Sequence, residues 1–246
     1  MPLKNKVLLV LLLSCLSQVS FAQKRKKGGI KKQPIKEVKD TYNTWSLGMG
    51  LSSLKTSGDL SSYSSGNIEG STNLGFYIYG NKMFNPIVGL EVKIDYNSLG
   101  AAGQGFTGNH AIKGIDENLY GNQVLSMNGN KFGFEINGIL NFNNLWKLNS
   151  KNWSWSLIAG LGNCYYSTKL YDENKSEILS FNNSSALYFD TGLDVKYRLN
   201  RRIDISLRPS INSVYADDFD ATISSKNSYE SYFSTHLGIV YKFGKE

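Results

Sequence analysis

The stretch Tyr232-Phe233-Ser234-Thr235-His236-Leu237-Gly238-Ile239-Val240-Tyr241-Lys242-Phe243 decides the fold. With a period of two, Phe233, Thr235, Leu237, Ile239, Tyr241 and Phe243 fall on one face, and Tyr232, Ser234, His236, Gly238, Val240 and Lys242 on the other. Strict alternation is the mark of a strand with one face in an apolar medium. The apolar face ends in aromatics, while the other carries a glycine, a histidine and a lysine. A water-soluble sandwich turns such a polar face outward, whereas a membrane barrel turns it inward.

Seven earlier segments repeat the pattern. Trp45, Leu47, Met49 and Leu51 alternate with serines and glycines, and Leu74, Phe76 and Ile78 with Asn73, Gly75, Tyr77 and Tyr79. Val88, Leu90, Val92, Ile94 and Tyr96 oppose Gly89, Glu91, Lys93 and Asp95. Phe132, Phe134, Ile136, Leu140 and Phe142 oppose Lys131, Gly133, Glu135, Asn137 and Asn141. Trp153, Trp155, Leu157, Ala159 and Leu161 then oppose serines, glycines and Cys164. Leu187, Phe189, Leu193, Val195 and Tyr197 stand against Tyr188, Asp190, Gly192, Asp194, Lys196 and Arg198, and Ile203, Ile205, Leu207 and Ile211 against Asp204, Ser206, Arg208, Ser210 and Asn212. Connections alternate in length. Those over 80–86, 143–152 and 200–202 are short, and those over 53–72, 97–130, 167–185 and 215–228 are long and polar. Short periplasmic turns and long external loops are the habit of outer-membrane barrels, and an even strand number leaves both termini periplasmic. The expected fold is all-β: an eight-stranded antiparallel up-and-down transmembrane β-barrel over 41–246.

Magnitude fixes which face is inside. The polar set contains Glu91, Asp95, Glu135, Asp190, Asp194 and Asp204 with Lys93, Lys131, Lys196, Arg198, Arg208 and Lys242, so the two signs balance. Turned toward lipid, each midplane Lys or Arg would cost about 2 to 4 kcal/mol. The set is therefore expected to form a lumen charge network, with Asp190 and Asp194 near Arg208, and Asp204 near Lys196 and Arg198. Trp45, Tyr96, Trp153, Trp155, Tyr197, Tyr241 and Phe243 are candidates for the aromatic girdles at the rims.

Composition agrees. Four prolines against 24 glycines, 13% aromatics and a mean hydropathy of -0.30 suit a turn-rich β chain. No run of about 18 apolar residues follows the amino terminus, so spanning helices are excluded. Residues 1–22 read as a signal peptide: Lys4 and Lys6, then an apolar core from Val7 to Leu13, then Ser20-Phe21-Ala22 before Gln23. Leu12-Leu13-Ser14-Cys15 offers an alternative lipoprotein-type site. Residues 23–40 form a basic, aperiodic arm of net charge +6, which with Lys4 and Lys6 leaves the rest of the chain at −1 within the total of +7. It reads as a solvated periplasmic tail, with contact to an anionic periplasmic partner as the sharper alternative. Export argues against nucleic acid as a ligand.

The chain resembles the small eight-stranded outer-membrane β-barrels typical of Bacteroidota, akin to the transmembrane half of OmpA and to OmpX. The likeness lies in Gly89 to Tyr96, Phe132 to Ile136, Ala159-Gly160-Leu161-Gly162, Asp190-Thr191-Gly192-Leu193 and Leu237 to Phe243. The spacing of His236, Gly238, Tyr241 and Phe243 resembles the C-terminal signal read by the barrel-assembly machinery. The resemblance implies a porin-family protein set in outer-membrane lipid and lipopolysaccharide, here expected as a monomer.

Catalytic, metal and cofactor sites are not expected. His236 and Ser234 share the inward face, which suits a lumen network better than a lipid hydrolase. His110 lies in the longest connection. Asp217, Asp218 and Asp220 could attract calcium but lack the glycine turn and the downstream glutamate of a recognised site. Cys164 reads as lumen filler. Two functions from different classes follow: a structural or surface-interaction barrel acting through its loops, or a small diffusion pore. The pore is disfavoured because side chains fill an eight-stranded lumen.

Overall fold

The computed structural model describes residues 44–57, 73–104, 124–146, 148, 150, 152–219, 221 and 229–243. The expected signal peptide with Cys15, the basic arm, His110 and Asp220 lie outside the described residues. The strands are β1 (Trp45–Ser57), β2 (Asn73–Met83), β3 (Val88–Gln104), β4 (Val124–Asn141), β5 (Trp153–Tyr171), β6 (Glu177–Arg198), β7 (Ile203–Val214) and β8 (Glu230–Lys242), and a one-turn helix α1 (Phe142–Leu145) joins β4 to β5. Each strand pairs antiparallel with the next, and β8 returns to β1, closing an eight-stranded barrel.

Closure depends on small residues at the seam. Gly50 faces Gly238 across β1 and β8. A Cβ on either would overlap backbone of the facing strand, and one on Gly238 would also meet the Tyr77 hydroxyl. Pro209 sits mid-strand in β7, and the β6–β7 pairing lapses between Gly192↔Ser210 and Val195↔Leu207 without a change of register, as expected where proline supplies no N–H.

The polarity is that of a barrel in lipid. Outward positions of all eight strands hold large apolar side chains, from Met49 and Leu51 on β1 to Leu237 and Ile239 on β8. Glu91, Lys93, Asp95, Lys131, Glu135, Asp190, Asp194 and Arg208 are buried inside. Two outward aromatic rows bound the apolar band. At the short-turn end stand Trp45, Trp153, Trp155, Tyr197, Tyr241 and Phe243, with the Trp153 and Tyr197 rings 4.9 Å apart. Toward the other end, Phe76, Tyr96, Phe132 and Tyr165 are register partners across four strands. On β5, Trp155 and Tyr165 are ten residues apart, about 33 Å along a strand and about 23 Å along the membrane normal at a tilt of about 45°. That matches the height of about 25 Å expected of a lipid-facing band.

Beyond the upper row the polarity reverses. On β3, Tyr96 points out and Asp95 in, but the next residues put Leu99 and Ala101 inside and Ser98 outside. On β4, Leu125 and Met127 point in, and Ser126, Asn128 and Asn130 do not. On β5, Tyr166 and Leu170 are buried, while Lys169 forms an exposed ion pair with Glu177 of β6 (2.7 Å). This section is built like a barrel in water. It also corrects the expected long connections. The segment expected as a loop over 167–185 is a strand hairpin whose tip closes as Asp172 accepts the Ser176 N–H (2.7 Å). The connection expected over 97–130 begins only after Gln104 and ends at Val124.

Candidate functional site

The polar lumen is stacked in tiers that tie distant strands together. At the short-turn end, Lys242 of β8 donates to Asp204 of β7 (2.7 Å). Above it, the Arg208 guanidinium holds both oxygens of Glu91 (2.8 and 2.7 Å) and one of Asp194 (2.8 Å), and Lys196 pairs with Asp194 from the other side (3.0 Å). β7 and β3 are four strands apart in a ring of eight, so Arg208 and Glu91 span the barrel from wall to opposite wall. The Arg208 guanidinium also lies over the Tyr79 ring, 3.8 Å from its centroid. Ser206 donates to Asp194 (2.7 Å), and Asn137 to Glu91 (3.3 Å) and Glu135 (2.6 Å).

The next tier joins Lys93 to Glu135 (2.6 Å) and more distantly to Asp190 (3.7 Å), and Tyr188 donates its hydroxyl to Glu135 (2.8 Å). Higher still, Lys131 pairs with Asp95 (2.7 Å) and lies between the rings of Tyr188 and Tyr232, 4.9 and 5.0 Å from their centroids. Charges this deep require partners, because their hydration has been removed.

Above the charges, an apolar cluster fills the far end: Leu54, Leu99, Leu125, Met127, Leu170, Val214 and Phe219, with Tyr166 and Tyr232. Phe219 comes from the β7–β8 connection and turns back into the barrel against both tyrosines, with ring centroids 5.1 and 5.6 Å away. The residue before it is the tether. Asp218 accepts hydrogen bonds from the Tyr166 hydroxyl and from Ser184, and its carbonyl accepts from Thr168.

These contacts correct the expected partners of Asp204, Asp190 and Arg198 and give the positions of the other expected residues. Asp204 pairs with Lys242 instead of Lys196 or Arg198, and Asp190 lies by Lys93 instead of Arg208. Arg198 is exposed at the short-turn rim and joins no ion pair among the described residues. Tyr96 belongs to the upper aromatic row, well inside β3. Ser234 and His236 do not serve each other. The Ser234 hydroxyl meets Ser210 (2.8 Å) and accepts from Asn212 (3.1 Å), while His236 stands edge-on to Tyr77 at 4.7 Å. Asp218 acts as a loop tether. Cys164 is buried in the apolar cluster. Gly238 lies on the seam, and Tyr241 and Phe243 are outward, with rings stacked at 6.4 Å.

Alternation places Tyr79, Tyr188 and Tyr232 on the inward face but does not mark them as partners of the charges. For Tyr79 and Tyr188 the signal is an inward aromatic opposite a glycine: a Cβ on Gly48 would overlap the Tyr79 ring, and one on Gly162 would crowd Tyr188. Among the described residues no group of three His, Cys, Asp or Glu side chains could hold a metal ion, and no helix is long and apolar enough to cross a membrane.

A closed barrel with an apolar outside and a charged, paired inside defines the class of transmembrane β-barrels. No protein-family model matches the sequence, and no curated protein matches it. Among solved structures, the chain is similar to Ail, the attachment invasion locus protein of Yersinia pestis, at 14% identity over 82% of this chain and 99% of that one, with a TM-score of 0.45. It is also similar to Neisserial surface protein A (12% identity, 81% and 97% covered, TM-score 0.48) and to a major outer membrane protein from Thermus thermophilus (11%, 81% and 99%, 0.48). Identities this low carry no activity from those proteins to this chain.

Proposed function

We propose that this chain is an integral outer-membrane barrel, of the kind to which OmpX and the transmembrane half of OmpA belong. It would be exported through a cleaved signal peptide and have both termini in the periplasm. Its role is structural or surface-interactive, without enzymatic activity, and its partners lie among lipopolysaccharide and whatever meets its long-loop end. The observation that carries this reading is the reversal of polarity above the Phe76, Tyr96, Phe132 and Tyr165 row. There β3 to β6 leave the apolar band and continue as a wall with its own inner core, which presents polar side chains on a rigid scaffold. The filled lumen supports this role over that of a diffusion pore.

The boundary is testable with single cysteines. Cys164 is fully buried, so it provides a silent background. Ser126→Cys, above the upper row, should react with a membrane-impermeant maleimide on intact cells, and Leu157→Cys, between the rows, should not. Equal labelling of both, or labelling of Ser126→Cys only after the outer membrane is opened, would overturn the topology.

A further inference from the structure

The short-turn end of the barrel holds a cavity of about 240 Å³ that the charge network does not fill. Among the described residues its wall carries Lys196, Arg198 and Lys242 against a single carboxylate, Asp204. The remaining polar lining is neutral and rich in donors, Asn81, Asn141 and Asn152 among them. The connection that carries α1 is pinned at the rim. Asn143 donates to the Trp153 carbonyl (2.7 Å) and accepts from the Trp155 N–H (2.7 Å), and Asn144 donates to the Pro86 carbonyl (2.7 Å).

We infer that this cavity is a binding site for a small oxyanion, a phosphate- or carboxylate-bearing molecule held between Arg198, Lys196 and Lys242. Each lysine directs one donor at its carboxylate (3.0 Å from Lys196 to Asp194, 2.7 Å from Lys242 to Asp204). An ammonium has three donors, so each retains two. Both lysine side chains are largely enclosed, at 14% and 12% exposure, which strengthens their pull on an anion relative to open water. Arg198 has no carboxylate partner among the described residues, and its planar fork suits two oxygens of one group. The volume lies below the usual range of about 300 to 1,000 Å³ for drug-sized ligands, so the occupant is small. Only the placement of this site in the periplasm rests on the topology proposed above.

The test is calorimetry on the full barrel refolded in zwitterionic nanodiscs, with inorganic pyrophosphate and citrate as separate probes and glucose as the neutral control. Saturable binding of at least one anion and none of glucose is expected. Preference between the two anions tells a phosphate ligand from a carboxylate one. Arg198→Ala should weaken binding about tenfold or more, the size expected for a charge-assisted hydrogen bond. Arg201→Ala, in the neighbouring exposed turn but outside the cavity wall, should leave it unchanged. Absence of saturable binding, or equal weakening by both substitutions, overturns the site. Circular dichroism of the same samples reports the barrel independently, so a folded barrel without binding removes this inference and leaves the membrane reading standing.

Discussion

Removing the Arg208 side chain would leave Glu91 with only Asn137, while Asp194 would keep Lys196 and Ser206. The loss should therefore fall mainly on Glu91. An uncompensated charge at this depth costs about 3 to 5 kcal/mol, far above the value of a surface pair. Arg208→Ala should lower the urea midpoint of the refolded barrel accordingly. Adding Glu91→Ala should recover more of it than adding Asp194→Ala. Strict additivity in both double variants would mean that water reaches the carboxylates and that the pair is not insulated. The inward phase of these residues could be read from alternation, because period two assigns a face without any knowledge of neighbours. Their partners could not. Asp204 sits opposite Arg198 in register yet pairs with Lys242, a choice set by how the side chains cross a closed lumen.

Among the elements, β8 carries two separate demands. Its Gly238 must admit β1 and the Tyr77 hydroxyl, and its outward Tyr241, with Phe243 just past its end, stands in the lower aromatic row. Gly238→Val should block closure outright, and the protein should lose the fast-migrating folded form on unheated gels. Phe243→Ala should preserve the folded form of protein refolded in detergent but reduce its amount in cells, if the C-terminal spacing is read during assembly. Normal cellular levels of Phe243→Ala would remove the assembly-signal reading. All eight strands were legible because each crosses an apolar band in which large apolar residues recur at most alternate positions. The upper halves of β3 to β6 were not, for a physical reason. Past Tyr96 and Tyr165 the outer medium changes to water, so Leu99 and Leu170 point inward where Ile94 and Leu161 point outward, and a template of apolar residues facing lipid ends at that change of phase.

At the scale of the whole molecule, the barrel is occupied along most of its length: paired charges in the middle, an apolar cluster with Phe219 at one end, and the small polar cavity at the other. In planar bilayers the wild-type protein should show no steady conductance. Phe219→Ala alone should not open it, since Lys93, Lys131 and Arg208 still reach across the lumen. Ohmic steps from the wild type in proportion to added protein would favour the pore instead. Protease added to intact cells should cut within 105–123, the connection between β3 and β4.

The Arg208 to Glu91 tie also bears on the order in which the barrel is made. Its two ends are 117 residues apart in sequence, and they lie on strands that are neighbours neither in the chain nor in the sheet. Until β7 is in place, Glu91 lacks the countercharge it holds in the closed barrel, so a partly inserted chain must keep its inner face wet. Water can leave the lumen only after the last strands arrive. The final step of folding is then the drying of an interior already enclosed by its wall, and mutations in the tie should slow that step while leaving the earlier pairing of β1 to β6 at its normal rate.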